Sequence, residues 1–285
     1  MIDEKDEIRS ILKNALREDL DEAGDITSQA IFKETDFAKA QIRSKATGVL
    51  SGAYLIKPLF ELVDSTVEVE LLCDDGQALT PGRKICSLSG PVRAILAGER
   101  TILNLLQRLS GIATITSSMV TELANTNTRL LDTRKTTPGI RLLEKKAVVH
   151  GGGSNHRFGL FDMILIKDTH VRRAGGVEEA LSKALKWRGE KKIPLIEIEV
   201  QSVEEFLQAA TLGGADRIML DNMTSEEIKM CVEERNGRTL PVSLEVSGNV
   251  TAQTLPAVAN TGVDFISSGA ITHSAPALDI HLVIT

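Results

Sequence analysis

Ile193-Pro194-Leu195-Ile196-Glu197-Ile198-Glu199-Val200 is followed by Gln201-Ser202-Val203-Glu204-Glu205. The first stretch reads as a strand on which Glu197 and Glu199, alternating with isoleucines, face the same side. The second opens a helix with a capping box, Ser202 to Glu205. The same beat recurs on both sides. Further strands are predicted at Thr128–Asp132, Asp162–Lys167, Arg217–Leu220, Val242–Val246 and Val263–Ser267, with helical patterns between them. Thr224-Ser225-Glu226-Glu227 is a second capping box, and Val177, Ala180, Leu181, Ala184 and Leu185 form one apolar stripe. Pro138 suits a first helical turn capped by Thr136 or Thr137. Strands alternating with helices imply a parallel sheet with right-handed crossovers. A full eight-fold barrel takes about 250 residues and roughly 150 are available here. The expected fold is therefore α/β, a barrel with fewer than eight strands, with an open doubly wound sheet as the alternative.

The first 110 or so residues have a different texture. Ile8, Ile11, Leu12, Ala15 and Leu16 fall at helical spacing, while Ala38, Ala40 and Ile42, and then Val67, Val69 and Leu71, alternate with polar residues. Glycines punctuate the turns, and an α+β domain with an antiparallel sheet is expected. Residues 99–124 read as one or two apolar helices interrupted near Ser110-Gly111. The expected division is 1–112 for this domain and 113–273 for the barrel, with a tail, 274–285, that packs back on the first domain.

Composition removes several classes of function. The 285 residues carry a net charge of −6 and only 3% aromatics, which argues against a nucleic-acid binder and against a base-stacking surface. No apolar run approaches the roughly 20 residues that span a bilayer. Cys73, Cys86 and Cys231 form no C-x-x-C pair and read as reduced thiols of a cytoplasmic protein.

In parallel α/β folds chemistry gathers at the carboxyl ends of the strands. Arg134, Lys135 and Lys167 stand there, with Asn155-His156-Arg157 just before the second strand. That basic set suits a small polycarboxylate, because arginine grips carboxylates bidentately. Glu199 and Asp221 end the next two strands and suit a hydrated Mg²⁺ or ribose hydroxyls. Ser247-Gly248-Asn249 and Ser268-Gly269-Ala270 are small loops whose N–H groups can cradle a phosphate. His150, His170, His273 and His281 read as structural, and His150 and His156 lack zinc-motif spacing. Leu71–Gly82, an acidic stretch that loosely imitates a phosphoribosyl-pyrophosphate loop, reads as a turn, since Pro81 removes an N–H donor.

Asp132-Thr133-Arg134-Lys135-Thr136-Thr137-Pro138-Gly139, Gly151-Gly152-Gly153-Ser154-Asn155-His156-Arg157 and Leu165-Ile166-Lys167-Asp168 together resemble the quinolinate phosphoribosyltransferase family. Leu220-Asp221-Asn222, Leu244–Asn249, Gly262–His273, Gly24–Ser28 and Gly98–Thr101 extend the resemblance over essentially the whole chain. It implies an N-terminal open-faced sandwich and a C-terminal barrel. It also implies transfer of phosphoribose from phosphoribosyl pyrophosphate to quinolinate, with loss of CO₂ and pyrophosphate, using Mg²⁺. Quinolinate binding would fall on Arg134, His156, Arg157 and Lys167, with Arg100 donated by the partner in a homodimer. Phosphoribosyl pyrophosphate and metal binding would fall on Lys135, Glu199, Asp221, Ser247, Gly248, Asn249, Ser268 and Gly269. Catalytic roles would fall on Lys135, Lys167, Glu199 and Asp221, with Glu199 and Asp221 as the metal ligands. Lys146 and Thr169 depart from the family, where tyrosine and asparagine are expected. Nicotinate phosphoribosyl transfer and passive anion binding are the competing readings. Five basic groups favour a dianion over nicotinate, and a pure anion binder gains nothing from adjacent carboxylates.

Overall fold

A computed structural model describes residues 3–191, 194–248, 250–251 and 254–285. In chain order its elements are α1 (Glu4–Leu20), α2 (Ile26–Ile31), β1 (Phe37–Ser44), β2 (Gly48–Val49), α3 (Ala53–Val63), β3 (Glu68–Leu71), β4 (Ala78–Leu79), β5 (Lys84–Pro91) and α4 (Val92–Glu122). There follow β6 (Arg129–Leu131), α5 (Arg141–His150), β7 (Met163–Ile166), α6 (Asp168–Ala174), α7 (Val177–Arg188), β8 (Leu195–Val200) and α8 (Val203–Leu212). The last are β9 (Arg217–Asp221), α9 (Ser225–Gly237), β10 (Ser243–Ser247), α10 (Leu255–Ala259), β11 (Phe265–Ser267), α11 (Ala270–His273) and β12 (Ile280–Ile284). Two compact units result: Met1–Ser117 with Thr136–Gly152 and Thr272–Thr285, and Ser118–Lys135 with Gly153–Ile271. The boundaries expected from sequence run differently, because α5 groups with the first unit rather than with the barrel strands.

In the first unit the alternation of β1 buries Ala40 and Ile42 on one face of an antiparallel sheet of order β12-β1-β5-β3. The chain's last strand closes this sheet, with Ala40 opposite Ile284 and Ser44 opposite Ile280. Helix α1 turns Ile11, Leu12 and Leu16 inward, as its spacing dictates. Helix α4 runs unbroken for 31 residues, so the interruption expected at Ser110-Gly111 is absent. Gly111 serves packing instead: a Cβ there would collide with the carbonyl oxygen of Pro276. Ile102, Leu103, Leu105, Leu106 and Leu109 of α4 are all buried within the chain itself.

Helix α5 begins at Arg141, three residues later than Pro138 suggests. Gly139 has φ of 85°, which excludes it from the interior of a helix begun at Pro138, and Pro138-Gly139 form a turn. Thr137 gives its N–H and its hydroxyl to Glu144 instead, at 3.0 and 2.8 Å. The same fully buried carboxylate accepts from Arg108 Nε and Nη2 at 3.0 and 2.9 Å.

In the second unit six parallel strands pair in the order β6-β11-β10-β9-β8-β7. Each falls where the apolar runs placed it; Ile193, the expected first residue of β8, lies outside the described residues. Ile196, Ile198 and Val200 on β8, Ile218 and Leu220 on β9, and Leu244 and Val246 on β10 are buried on one face. The opposite face carries Glu197, Glu199, Arg217, Met219, Asp221, Glu245, Ser247 and Phe265 by alternation. The sheet is curled. In a flat sheet β6 and β8 would lie about 19 Å apart, four strand spacings. His156 N donates to Asp132, one residue past β6, and the His156 ring lies 3.0 Å from Glu197 on β8. Only a barrel brings those strands together. The caps behave as expected with one variation: Thr224 and Glu227 complete a reciprocal box, whereas Glu205 accepts from Gln201 N rather than from Ser202.

Candidate active site

The carboxyl ends of the barrel strands place the sequence-flagged charges side by side. Lys167, directly after β7, donates from Nζ to Glu199 Oε1 at 2.7 Å, and Asp168 N reaches Glu199 Oε2 at 3.3 Å. Asp221 ends β9, and its pKa is raised, first by burial and then by the charge of Glu199. Asn222 follows with φ of 56° and bonds back to Asp221 Oδ2 at 2.9 Å. The charge of Glu199 thus opposes ionisation of Asp221 on the neighbouring strand, and the two carboxylates form a hard-oxygen site suited to a divalent cation.

A basic group faces the same end of the barrel. Asp132 is fully buried and accepts from His156 N at 2.8 Å, while Ser154 bridges to Leu131, so the 154–157 segment is laid against β6. Arg157 is mostly buried and has a lowered pKa, first through burial and then through the charge of Arg134. The two guanidiniums therefore repel one another, and among the described residues no hydrogen-bond partner reaches the buried Arg134 Nε. Like charges held together in this way form an anion site. Lys135 is exposed beside them.

The phosphate loops are unequal. Gly248 has φ of 97°, and a Cβ there would strike Asn222, so only glycine fits beside Ser247. Ser268 has both donors engaged within the protein, its N–H on Leu131 O at 3.1 Å and its hydroxyl on Val250 O at 3.0 Å. Gly269 lies at the head of α11, and Asn249 lies outside the described residues.

Beneath these groups is a layer whose pairings sequence reasoning did not assign. Glu197, Arg217 and Glu245 stand on three neighbouring strands, with Arg217 Nη1 donating to Glu245 Oε2 at 2.7 Å. The Arg217 guanidinium stacks on Phe265, 3.9 Å from the ring centre. Both glutamates are fully buried, and burial pushes each up to about 7. The signal was present as a charge set within an apolar strand, Leu244-Glu245-Val246, but its partners follow only from barrel closure.

Elsewhere, Arg100 is exposed on α4 in the first unit. Lys146, the first departure, donates to Glu4 at 2.8 Å and lies over the Tyr54 ring; Thr169, the second, is exposed on α6. Ser51, His150 and Asp75 sit together, yet Ser51 Oγ at 2.8 Å and Asp75 at 4.0 Å both approach Nδ1. A nucleophilic triad needs serine and aspartate on opposite ring nitrogens, so this is a structural group. Asp75 caps α3 by accepting from Ala53 N and Tyr54 N, which gives the Leu71–Gly82 stretch, a turn leading into β4, a packing role.

Two family models cover nearly the whole chain: the quinolinate phosphoribosyl transferase C-terminal domain matches residues 112–283, and the N-terminal domain of the same family matches residues 25–110. The chain belongs to the quinolinate phosphoribosyltransferase family. A probable nicotinate-nucleotide pyrophosphorylase (carboxylating) of Bacillus subtilis is 43% identical over 279 residues, covering 98% of this chain and 94% of the relative. A quinolinate phosphoribosyltransferase (decarboxylating) of Nicotiana glauca is 39% identical, covering 98% and 82%. The solved nicotinate-nucleotide pyrophosphorylase of Francisella tularensis superposes with a TM-score of 0.90 at 39% identity, covering 98% and 96%.

As a quinolinate phosphoribosyltransferase, the chain is an enzyme of the decarboxylating pentosyltransferase class. No helix among the described residues is long and apolar enough to cross a membrane.

Proposed function

We propose that the second unit binds quinolinate and phosphoribosyl pyrophosphate and transfers phosphoribose to the pyridine nitrogen, releasing CO₂ and pyrophosphate and forming nicotinate mononucleotide. The observation that carries this reading is the repelling pair Arg134 and Arg157, near the Glu199 that holds Lys167. A ligand with two carboxylates relieves that repulsion, whereas a monoanion leaves one charge uncompensated. Arg134, Arg157 and Lys167 grip the carboxylates and fix the ring nitrogen toward the ribose, and His156 supports them from below. Glu199 and Asp221 face the ribose and stabilise the positive charge that develops at C1 as pyrophosphate departs. Lys135 and the Ser247-Gly248 and Ser268-Gly269 turns receive the phosphates, with Gly248 allowing close backbone approach.

Mg²⁺ fits the oxygen donors of Glu199 and Asp221, whose mutual repulsion it would relieve. When bound, it neutralises charge on the pyrophosphate. The functional form is a cytoplasmic homodimer in which Arg100, exposed on α4, reaches the partner's quinolinate.

The deciding assay is formation of nicotinate mononucleotide from quinolinate, phosphoribosyl pyrophosphate and Mg²⁺, with nicotinate as control substrate. Turnover of nicotinate but not quinolinate would overturn the assignment. The shared site is tested by mixing inactive Arg100→Ala and Lys167→Ala enzymes under subunit exchange. Recovery of up to roughly a quarter of wild-type activity is expected, because half the dimers are mixed and half their sites intact.

A further inference from the structure

His156 shows a contact pattern that substrate binding alone does not explain. Its Nδ1 accepts the backbone N–H of Arg157 at 2.7 Å. A ring nitrogen that accepts carries no proton, so the proton is on Nε2. Nε2 is turned to the barrel interior, 3.0 Å from Glu197 Oε2 and 3.6 Å from Glu245 Oε2. The ring thus lies between the backbone of Arg157 and two buried carboxylates, which approach Nε2 closely without an aligned hydrogen bond.

Those carboxylates are held in turn. Arg217 Nη1 binds Glu245 at 2.7 Å, lies 4.0 Å from Glu197, and is seated on Phe265. Strand register explains the grouping: Glu197 is paired with Arg217 across β8 and β9, and Glu245 with Phe265 across β10 and β11. His156, Glu197 and Glu245 could together offer ligands to a metal, but Arg217 already supplies the cation.

The arrangement is a costly one. Among the described residues few donors face the four buried oxygens of Glu197 and Glu245, chiefly one histidine edge and one arginine. Apolar side chains of the same size would pack there at lower free energy. What the charged layer provides is directional: it fixes a ring that fixes the backbone of Arg157. The charge of Glu197 also acts on Arg157, opposing its burial and its repulsion by Arg134.

We propose that Glu197, Arg217 and Glu245 are positioning residues for quinolinate, forming a charged layer under the site that seats His156 and through it orients Arg157. The proposal rests on the reading of Arg157 as a quinolinate ligand. It is tested in the full enzyme with Mg²⁺, using Glu197→Gln, Glu245→Gln, Arg217→Met and Arg217→Lys. Quinolinate KM is expected to rise about tenfold in the first three, the equivalent of one charge-assisted contact, while KM for phosphoribosyl pyrophosphate stays within about twofold. The glutamine variants keep their melting temperature, and Arg217→Lys recovers most of the quinolinate affinity. Unchanged quinolinate KM overturns the proposal. So does a parallel loss for both substrates with a lowered melting temperature, which marks a purely structural role. Nitrogen-15 NMR of His156 separates this test from the functional reading. If wild-type enzyme makes no nicotinate mononucleotide, that reading fails. The positioning layer then stands if the Nε2-protonated signal shifts in Glu245→Gln, and falls if it does not.

Discussion

Each unit buries carboxylates completely, and treats them in opposite ways. Glu144 in the first unit accepts four hydrogen bonds, two from Arg108 and two from Thr137, and Arg108 also binds the carbonyls of Ala275 and Thr272. One carboxylate thereby ties α4, α5 and the returning tail together. Glu197 and Glu245 in the second unit rely chiefly on one shared arginine and one histidine edge, which among the described residues leaves them fewer donors than Glu144 has. A buried charge that is fully satisfied acts as a joint. One that is under-satisfied lowers stability and keeps a field directed at its neighbours.

The sharpest test of this contrast is Arg108→Met, which leaves Glu144 buried with half its donors. It should cost about 3 kcal/mol in urea denaturation, the scale for breaking one side of a buried pair. If the cost is below that of a surface substitution, the joint does not exist. Arg157→Ala should lower quinolinate affinity by about ten- to a hundredfold, read by calorimetry, from loss of a charge-assisted contact. Because it removes repulsion with Arg134, its unfolding midpoint should be unchanged or higher. Equal loss of phosphoribosyl pyrophosphate affinity would sink the assignment.

Smaller effects come from titration, with opposite signs in the two units. Burial raises Glu245 from 4.5 to about 7. The unfolded chain therefore releases this proton first, and stability falls as pH rises from about 4.5 to about 7. Glu245→Gln should flatten that fall in thermal melts and stay within about 1 kcal/mol of wild type at neutral pH. His150 in the first unit has a pKa lowered from 6.5, chiefly by burial. Here the unfolded chain takes up the proton first, so stability is full above pH 6.5 and declines below it. His150→Gln should remove that acid-side decline at a cost of about 0.5 kcal/mol. A pH profile indifferent to both substitutions would erase the distinction between the units.

The six barrel strands were legible because each is an apolar run that the sheet buries, and Glu199 and Asp221 were legible because strand ends in such folds converge. Ser110-Gly111 misled because a glycine in a helix signals a local break, whereas the need for it came from the distant backbone of Pro276. Pro138 misled because the left-handed turn at Gly139 overrides its preference for a helix start. Arg217 and Glu245 were visible as charges, but their partnership depends on a curled sheet that carries His156 from β6 across to Glu197. Ser268 illustrates the reverse case: its position fits a phosphate loop, while its donors are engaged by Leu131 and Val250.

Strand β12 bears on how the chain is made. It completes the first unit's sheet by pairing Ala40 with Ile284, yet it leaves the ribosome only after all of the second unit. Throughout synthesis of the barrel, β1 carries an open backbone edge able to pair with another nascent chain. The barrel can fold vectorially, while the sheet that precedes it in sequence is finished last.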